Sequence, residues 1–125
     1  MSVRNRAATL RVHRDQQWLA KILKAVDGED CYLYCLDPVL PLSADHSRFF
    51  DPTMEITEDS ATGIAAGPLA YQLVSRNIVE DGSTIMIGQG YEMKRASILQ
   101  VEVDGKSMCR AGRGIKVIEG QLRSR

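Results

Sequence analysis

The pattern of apolar and polar positions divides the chain into short elements. Ala8 to Arg14 alternates, with Leu10 and Val12 on one face and Arg11 and His13 on the other. That predicts a strand with one wet side. Asp15 is placed to cap a short helix, in which Trp18, Leu19, Ile22, Leu23 and Val26 recur at helical spacing and which Gly28 ends. Residues 31–36, CYLYCL, read as a strand of β-formers. A loop with two prolines follows, and Arg48-Phe49-Phe50 resumes a strand before an Asp51-Pro52 turn. Four further strands are predicted at Thr84–Gln89, Ile98–Val103, Ser107–Ala111 and Ile115–Glu119. Turns at Gln89-Gly90-Tyr91, Asp104-Gly105 and Gly112-Arg113-Gly114 part them.

Between these groups lies EITEDSATGIAAGPLAYQLV, residues 55–74. It predicts a helix from Ala61 or Thr62 to Arg76, with Asn77 near its end and a turn at Glu80-Asp81-Gly82. Ile64, Ala65, Ala66, Leu69, Ala70, Leu73 and Val74 cover most of its circumference, which places it inside something. Small residues at 65, 66, 67 and 70 let strands approach, and Pro68 removes one hydrogen bond and bends the axis. The predicted fold is therefore α+β: a curved, mostly antiparallel sheet wrapped around one buried central helix, with a second helix outside. Residues 1–125 read as a single domain.

A buried helix leaves four N–H groups without partners at its start, and with the helix dipole they make an anion site unless a side chain fills it. Thr62 or Ser60 could supply such a cap. Gly63 lets a ligand approach the backbone without meeting a Cβ. The pattern alone fits both a capped core helix, with Glu58 and Asp59 favouring the positive dipole end, and a ligand site.

Composition narrows the alternatives. Sixteen Lys and Arg balance sixteen Asp and Glu, which gives no reason to expect nucleic acid or an anionic membrane surface as partner. No apolar run reaches membrane-spanning length, and the opening MSVRNRAATLRVHR lacks the apolar core of a secretory signal. Cys31, Cys35 and Cys109 are too few for a disulfide framework and read as core thiols in a reduced, cytoplasmic setting. His13 and His46 are far apart, no ligand-spaced cluster suggests a metal, and Gly112-Arg113-Gly114 reads as a turn.

Two segments carry a resemblance. Arg48-Phe49-Phe50 followed by Glu58-Asp59-Ser60-Ala61-Thr62-Gly63 resembles the RFF…P…EDPATGSA signature of the phenazine-biosynthesis PhzF-like proteins. Residues 87–97, IGQGYEMKRAS, resemble their I-x-Q-G-x-x-M-x-R-P-S segment, in the same order. The resemblance implies one lobe, the C-terminal one, of a two-lobed diaminopimelate epimerase fold. In that fold the active site lies between the lobes, and the N-termini of both central helices face the substrate. It implies cofactor-independent isomerisation of a small acidic metabolite by proton transfer. Asp59 matches the family's substrate-side aspartate, and Ser60 stands where related epimerases carry a catalytic cysteine; these are the candidate catalytic residues. Glu58, Thr62, Gly63, Ile64, Gln89 and Gly90 are the candidate substrate-binding residues. Ile64 replaces a serine of the family, so only its backbone N–H remains to bind an acid. The family's acid/base glutamate lies on the other lobe and has no counterpart here. A homodimer or a separate N-terminal-lobe chain would then complete the cleft. The alternatives are a non-catalytic module that binds small acids or mediates interactions, and an inactive truncated remnant.

Overall fold

In the computed structural model, residues 1–13, 15–105, 107–111 and 117–121 are described. Six strands form one sheet: β1 (Cys31–Cys35), β2 (His46–Asp51), β3 (Ile56–Asp59), β4 (Thr84–Gln89), β5 (Ser97–Asp104) and β6 (Ser107–Ala111). The path runs β1-β2-β4-β5-β6, and β3 pairs with β2 beside it. Every pairing is antiparallel except β2 with β4. A parallel pair needs a crossover connection, here supplied by the helix α3 (Gly63–Ser75) between β3 and β4.

The core forms where α3 lies on the sheet. Ala66, Leu69, Ala70 and Leu73 pack against Ile85 and Ile87 of β4 and Val101 and Val103 of β5. Strand β5 alternates as a half-buried strand should: Val101 and Val103 are buried, Gln100 and Glu102 exposed. Gly67 lets β6 come close, with the Met108 sulfur 3.6 Å from where a Cβ would stand. Each fully buried Leu, Ile or Val contributes roughly 1.5–3 kcal/mol. The hairpin β5–β6 turns at Gly105, with Asp104 paired to Ser107.

The sheet covers only one side of α3. Ile64, Pro68 and Tyr71 form an exposed stripe, and Ile64 is 81% exposed. Apolar side chains surround most of the helix axis, and the sheet covers those that face it.

Three expectations change. Residues 8–13 do not form a strand, and residue 14 lies outside the described residues; Arg6–Leu10 is a short helix, α1. Asn5 caps it by accepting from the Ala8 N–H at 3.0 Å, and the Thr9 hydroxyl donates to the Asn5 carbonyl at 3.2 Å. Local side-chain bonding thus outcompetes the Leu10/Val12 alternation, and Leu10 stays exposed. Strand β3 was not predicted. Of the predicted strand 115–119, residues 117–119 carry no strand pairing; 115 and 116, like the 112–114 turn, lie outside the described residues.

The helix α2 (Gln16–Ala25) begins at Asp15, whose carboxylate accepts from the Trp18 N–H at 2.9 Å. It ends where the Gly28 N–H returns to the Leu23 carbonyl at 2.8 Å, with Asp27 supplying the left-handed residue. Of its predicted apolar face only Leu23 is buried. Cys31 is half-buried, Cys35 buried and Cys109 exposed, so the expectation of a core thiol fails for Cys109. All three are free, and burial pushes the Cys31 thiol up. Among the described residues, no helix is long and apolar enough to cross a membrane, and no group of three or more His, Cys, Asp or Glu could hold a metal.

Candidate functional site

Strands β3 and β4 lie end to end on the same flank of β2. Gln89 closes β4 opposite Ser47, and Asp59 closes β3 opposite Phe49. The two strand ends therefore converge, and α3 starts from their junction. Gln89 is fully buried there and uses its whole amide. Its Nε2 donates to the Asp59 carbonyl at 2.8 Å and to Thr62 Oγ1 at 3.0 Å. Its Oε1 accepts from the Tyr32 hydroxyl at 2.8 Å and the Thr62 N–H at 3.3 Å. Two donors and two lone pairs are all it has.

This arrangement decides what happens at the head of α3. Thr62 occupies the N-cap position but makes no side-chain cap. Its hydroxyl donates instead to Asp59 Oδ2 at 2.7 Å. Ser60 supplies no cap either. Among the described residues, no side chain caps the start of the helix at Gly63, Ile64 and Ala65, and the Asp59 carboxylate stands beside them. Uncapped first-turn N–H groups attract an anion. A groove of about 310 Å³ runs from this point along the exposed side of α3, between Ile64, Ala65, Pro68 and Leu69 and the rings of Tyr32 and Tyr34. Burial pushes the Tyr32 phenol up, with the Asp45 charge adding to it, so the hydroxyl stays a donor.

Ser60 and Gly90 meet through their backbones. Gly90 has φ 82, and a Cβ there would stand 2.4 Å from the Arg95 carbonyl oxygen and 2.7 Å from that of Ser60. Gly90 also opens a short 3-10 turn, Tyr91–Met93, and accepts from the Arg95 N–H at 3.1 Å. Its role is close packing.

Glu58 lies apart from the other candidates. Successive strand residues point to opposite faces, so while Asp59 turns to Thr62, Glu58 turns inward. There it holds Arg48 through two bonds, Nε to Oε1 at 2.8 Å and Nη2 to Oε2 at 3.0 Å. Arg48 is 2% exposed, donates also to the Thr9 and Val12 carbonyls, and lies over the Phe50 ring. A buried arginine must be paired in this way or the fold loses several kcal/mol.

Further buried polar residues surround the junction that the sequence reading did not single out. Asp45 accepts from the Gly88 N–H at 3.0 Å and from the Ser47 hydroxyl. Burial pushes its carboxyl up to about 6, although the Ser47 and Gly88 bonds and His46 pull the other way. His46 Nε2 lies 2.8 Å from Glu92 Oε1, and its ring stands edge-on to Tyr91. Burial pushes the Glu92 carboxyl up, but His46 and Arg48 outweigh it and hold the group below its ordinary value. Nothing in the spacing of Asp45, His46 and Glu92 announces that they meet; only the β2–β4 pairing brings them together.

The sequence model of the phenazine biosynthesis-like proteins, PhzC-PhzF, matches residues 19–120. The chain is 43% identical over 61 residues to a trans-2,3-dihydro-3-hydroxyanthranilate isomerase of Pseudomonas chlororaphis, covering 49% of this chain and 22% of that one. It is 37% identical over 97 residues to an uncharacterised isomerase of Mesorhizobium japonicum, covering 73% of this chain and 32% of the relative. Its backbone superposes with a TM-score of 0.70 on a PhzF-family phenazine biosynthesis protein of Bacillus anthracis, at 20% identity and over 80% of this chain and 34% of the other. The chain thus spans about a fifth to a third of the length of these proteins. Matched over most of its length, the chain belongs to the phenazine biosynthesis-like (PhzC-PhzF) family.

Proposed function

We propose that the chain is one lobe, corresponding to the family's C-terminal lobe, of an isomerase that moves a proton on a small acidic metabolite without a cofactor. The observation that carries this reading is the head of α3. Its first-turn N–H groups have no side-chain cap because Gln89 and Asp59 hold the Thr62 hydroxyl elsewhere. A substrate carboxylate would sit on the Gly63 and Ile64 N–H groups, where the helix dipole favours negative charge. Asp59 would then stand beside the carbon that gains or loses a proton, with Ser60 next to it.

The site needs a second wall. The exposed apolar stripe of Ile64, Pro68 and Tyr71 is where that wall would lie, supplied by a separate N-terminal-lobe chain or by a second copy. Two copies would face two Asp59 carboxylates across a symmetric cleft, and paired carboxylates push one pKa up into the range of an acid/base at neutral pH. The setting proposed is the cytoplasm, where free thiols persist.

Deuterium incorporation tests the reading. The chain is incubated in D₂O with trans-2,3-dihydro-3-hydroxyanthranilate, the compound named for its relative, and with a panel of small carboxylic acids. Incorporation that Asp59→Asn abolishes supports the isomerase. An unchanged rate in Asp59→Asn sinks it. A second reading, a module that binds small acids without turning them over, is favoured by the exposed aliphatic side chain of Ile64 in the first turn. It predicts heat on titration with those acids and no exchange at all.

A further inference from the structure

The short turn Tyr91–Met93 follows directly on Gln89 and packs through Gly90 on Ser60, yet no side chain caps it. Glu92 ties it to the sheet, beside the Tyr91 ring that stands edge-on to His46. That carboxylate is 8% exposed and lies 2.8 Å from Nε2 of His46, whose side chain is 1% exposed. The approach is angled, and among the described residues neither Glu92 oxygen has an aligned hydrogen-bond donor. The contact is therefore one of close buried packing between two polar groups. Arg48 cannot take it over: its Nε stays 3.9 Å from Glu92 Oε2, and its guanidinium is engaged by Glu58, Thr9 and Val12.

His46 is next to Ser47, which pairs with Gln89. The His46–Glu92 contact thus brackets Gln89, holding the strand beside it and the turn after it. Gln89 in turn carries every side-chain bond that keeps Thr62 from capping α3, apart from the one to Asp59. We infer that His46 and Glu92 are positioning residues: a buried latch that sets the Gln89 amide and so keeps the head of α3 open. This rests on the head of α3 being the working site, and it adds two residues that touch no substrate to that site's machinery.

The physical logic is asymmetric. A buried polar pair contributes little net stability, but removing one partner leaves the polar atoms of the other buried without it, which is unfavourable. The cheapest relief is to open the turn and hydrate what remains. Gly90 would then leave Ser60, and Gln89 would lose its fixed position.

The test is spectroscopic and needs no ligand, so it fails or succeeds apart from the isomerase reading. The ¹H–¹⁵N spectrum of the full chain is compared with those of Glu92→Gln, His46→Asn and the core variant Val103→Ala. The expected result is that both latch variants shift the Gln89 side-chain amide pair and the Thr62 and Gly63 N–H signals. Val103→Ala, destabilised without touching the latch, leaves those signals in place. The inference is overturned if the latch variants move only signals from residues 90–95, or behave like Val103→Ala. Glu92→Gln keeps the side-chain volume, so it decides the matter alone if His46→Asn does not fold.

Discussion

Gly90 shows how little freedom the site leaves. The atoms its missing Cβ would meet are backbone atoms of Arg95 and Ser60, which cannot swing away as a side chain tip would. Gly90→Ala therefore forces the junction apart in addition to straining a left-handed backbone, itself worth about 1–3 kcal/mol. An unfolding free energy lowered by at least that much in urea melts is expected, and an unchanged value would show that the junction is softer than its geometry. Asp45 makes a different prediction. Its folded value, about 6, lies above the ordinary 3.8, so burial penalises the ionised form. Stability from this group is fully present below about pH 3.8 and lost as pH rises through about 6, a loss of about 3 kcal/mol at 1.4 kcal/mol per unit. Asp45→Asn keeps an oxygen for the Gly88 N–H and carries no charge. Its stability relative to wild type should thus rise between pH 4 and pH 7, as read from urea melts at both; no relative change would refute the assignment. Residues of this kind were hidden in the sequence. Asp45 and His46 sit at the end of a proline-containing loop, where polar residues are ordinary, and only a partner more than forty residues away gives them meaning.

At the scale of elements, α3 was legible because its apolar content and its boundaries are local properties. Its start after Thr62 and its end at Asn77, where φ turns positive, follow from the chain itself. Strand β3 was not legible: Ile56-Thr57-Glu58-Asp59 has one apolar residue, and pairing with β2 alone makes it a strand. The same tertiary dependence explains α2, whose apolar face finds cover only at Leu23. The two sides of α3 should respond differently to substitution. Leu73 is fully buried among β4 and β5 partners, so Leu73→Ala costs about 2–5 kcal/mol. Ile64→Ser on the exposed stripe changes the lone chain's stability by less than about 0.5 kcal/mol. Thermal or urea melts of the two variants check the contrast, and a large loss from Ile64→Ser would show that its side is already covered.

For the molecule as a whole, that uncovered side is the open question of assembly. Helix α3 has no charged residue from Gly63 to Ser75, so its exposed stripe offers water little beyond the Tyr71 hydroxyl. The proposed second wall predicts association: light scattering should give twice the monomer mass, and Ile64→Asp should return it to the monomer. A wild-type monomer would turn the search toward a separate partner chain. The site itself also has a consequence for how the chain folds. Its bonds join Gln89 to Tyr32, Asp59 and Thr62, residues 57, 30 and 27 positions away. No local segment can form it early, and contacts of such long sequence separation are slow because loop closure precedes their reward. The β5–β6 hairpin can close on its own, but the head of α3 gains its uncapped state only when β1, β3 and β4 have all arrived. A nascent or partly unfolded chain therefore holds an ordinary helix end there, and the chemistry of the site is a property of the last folding step.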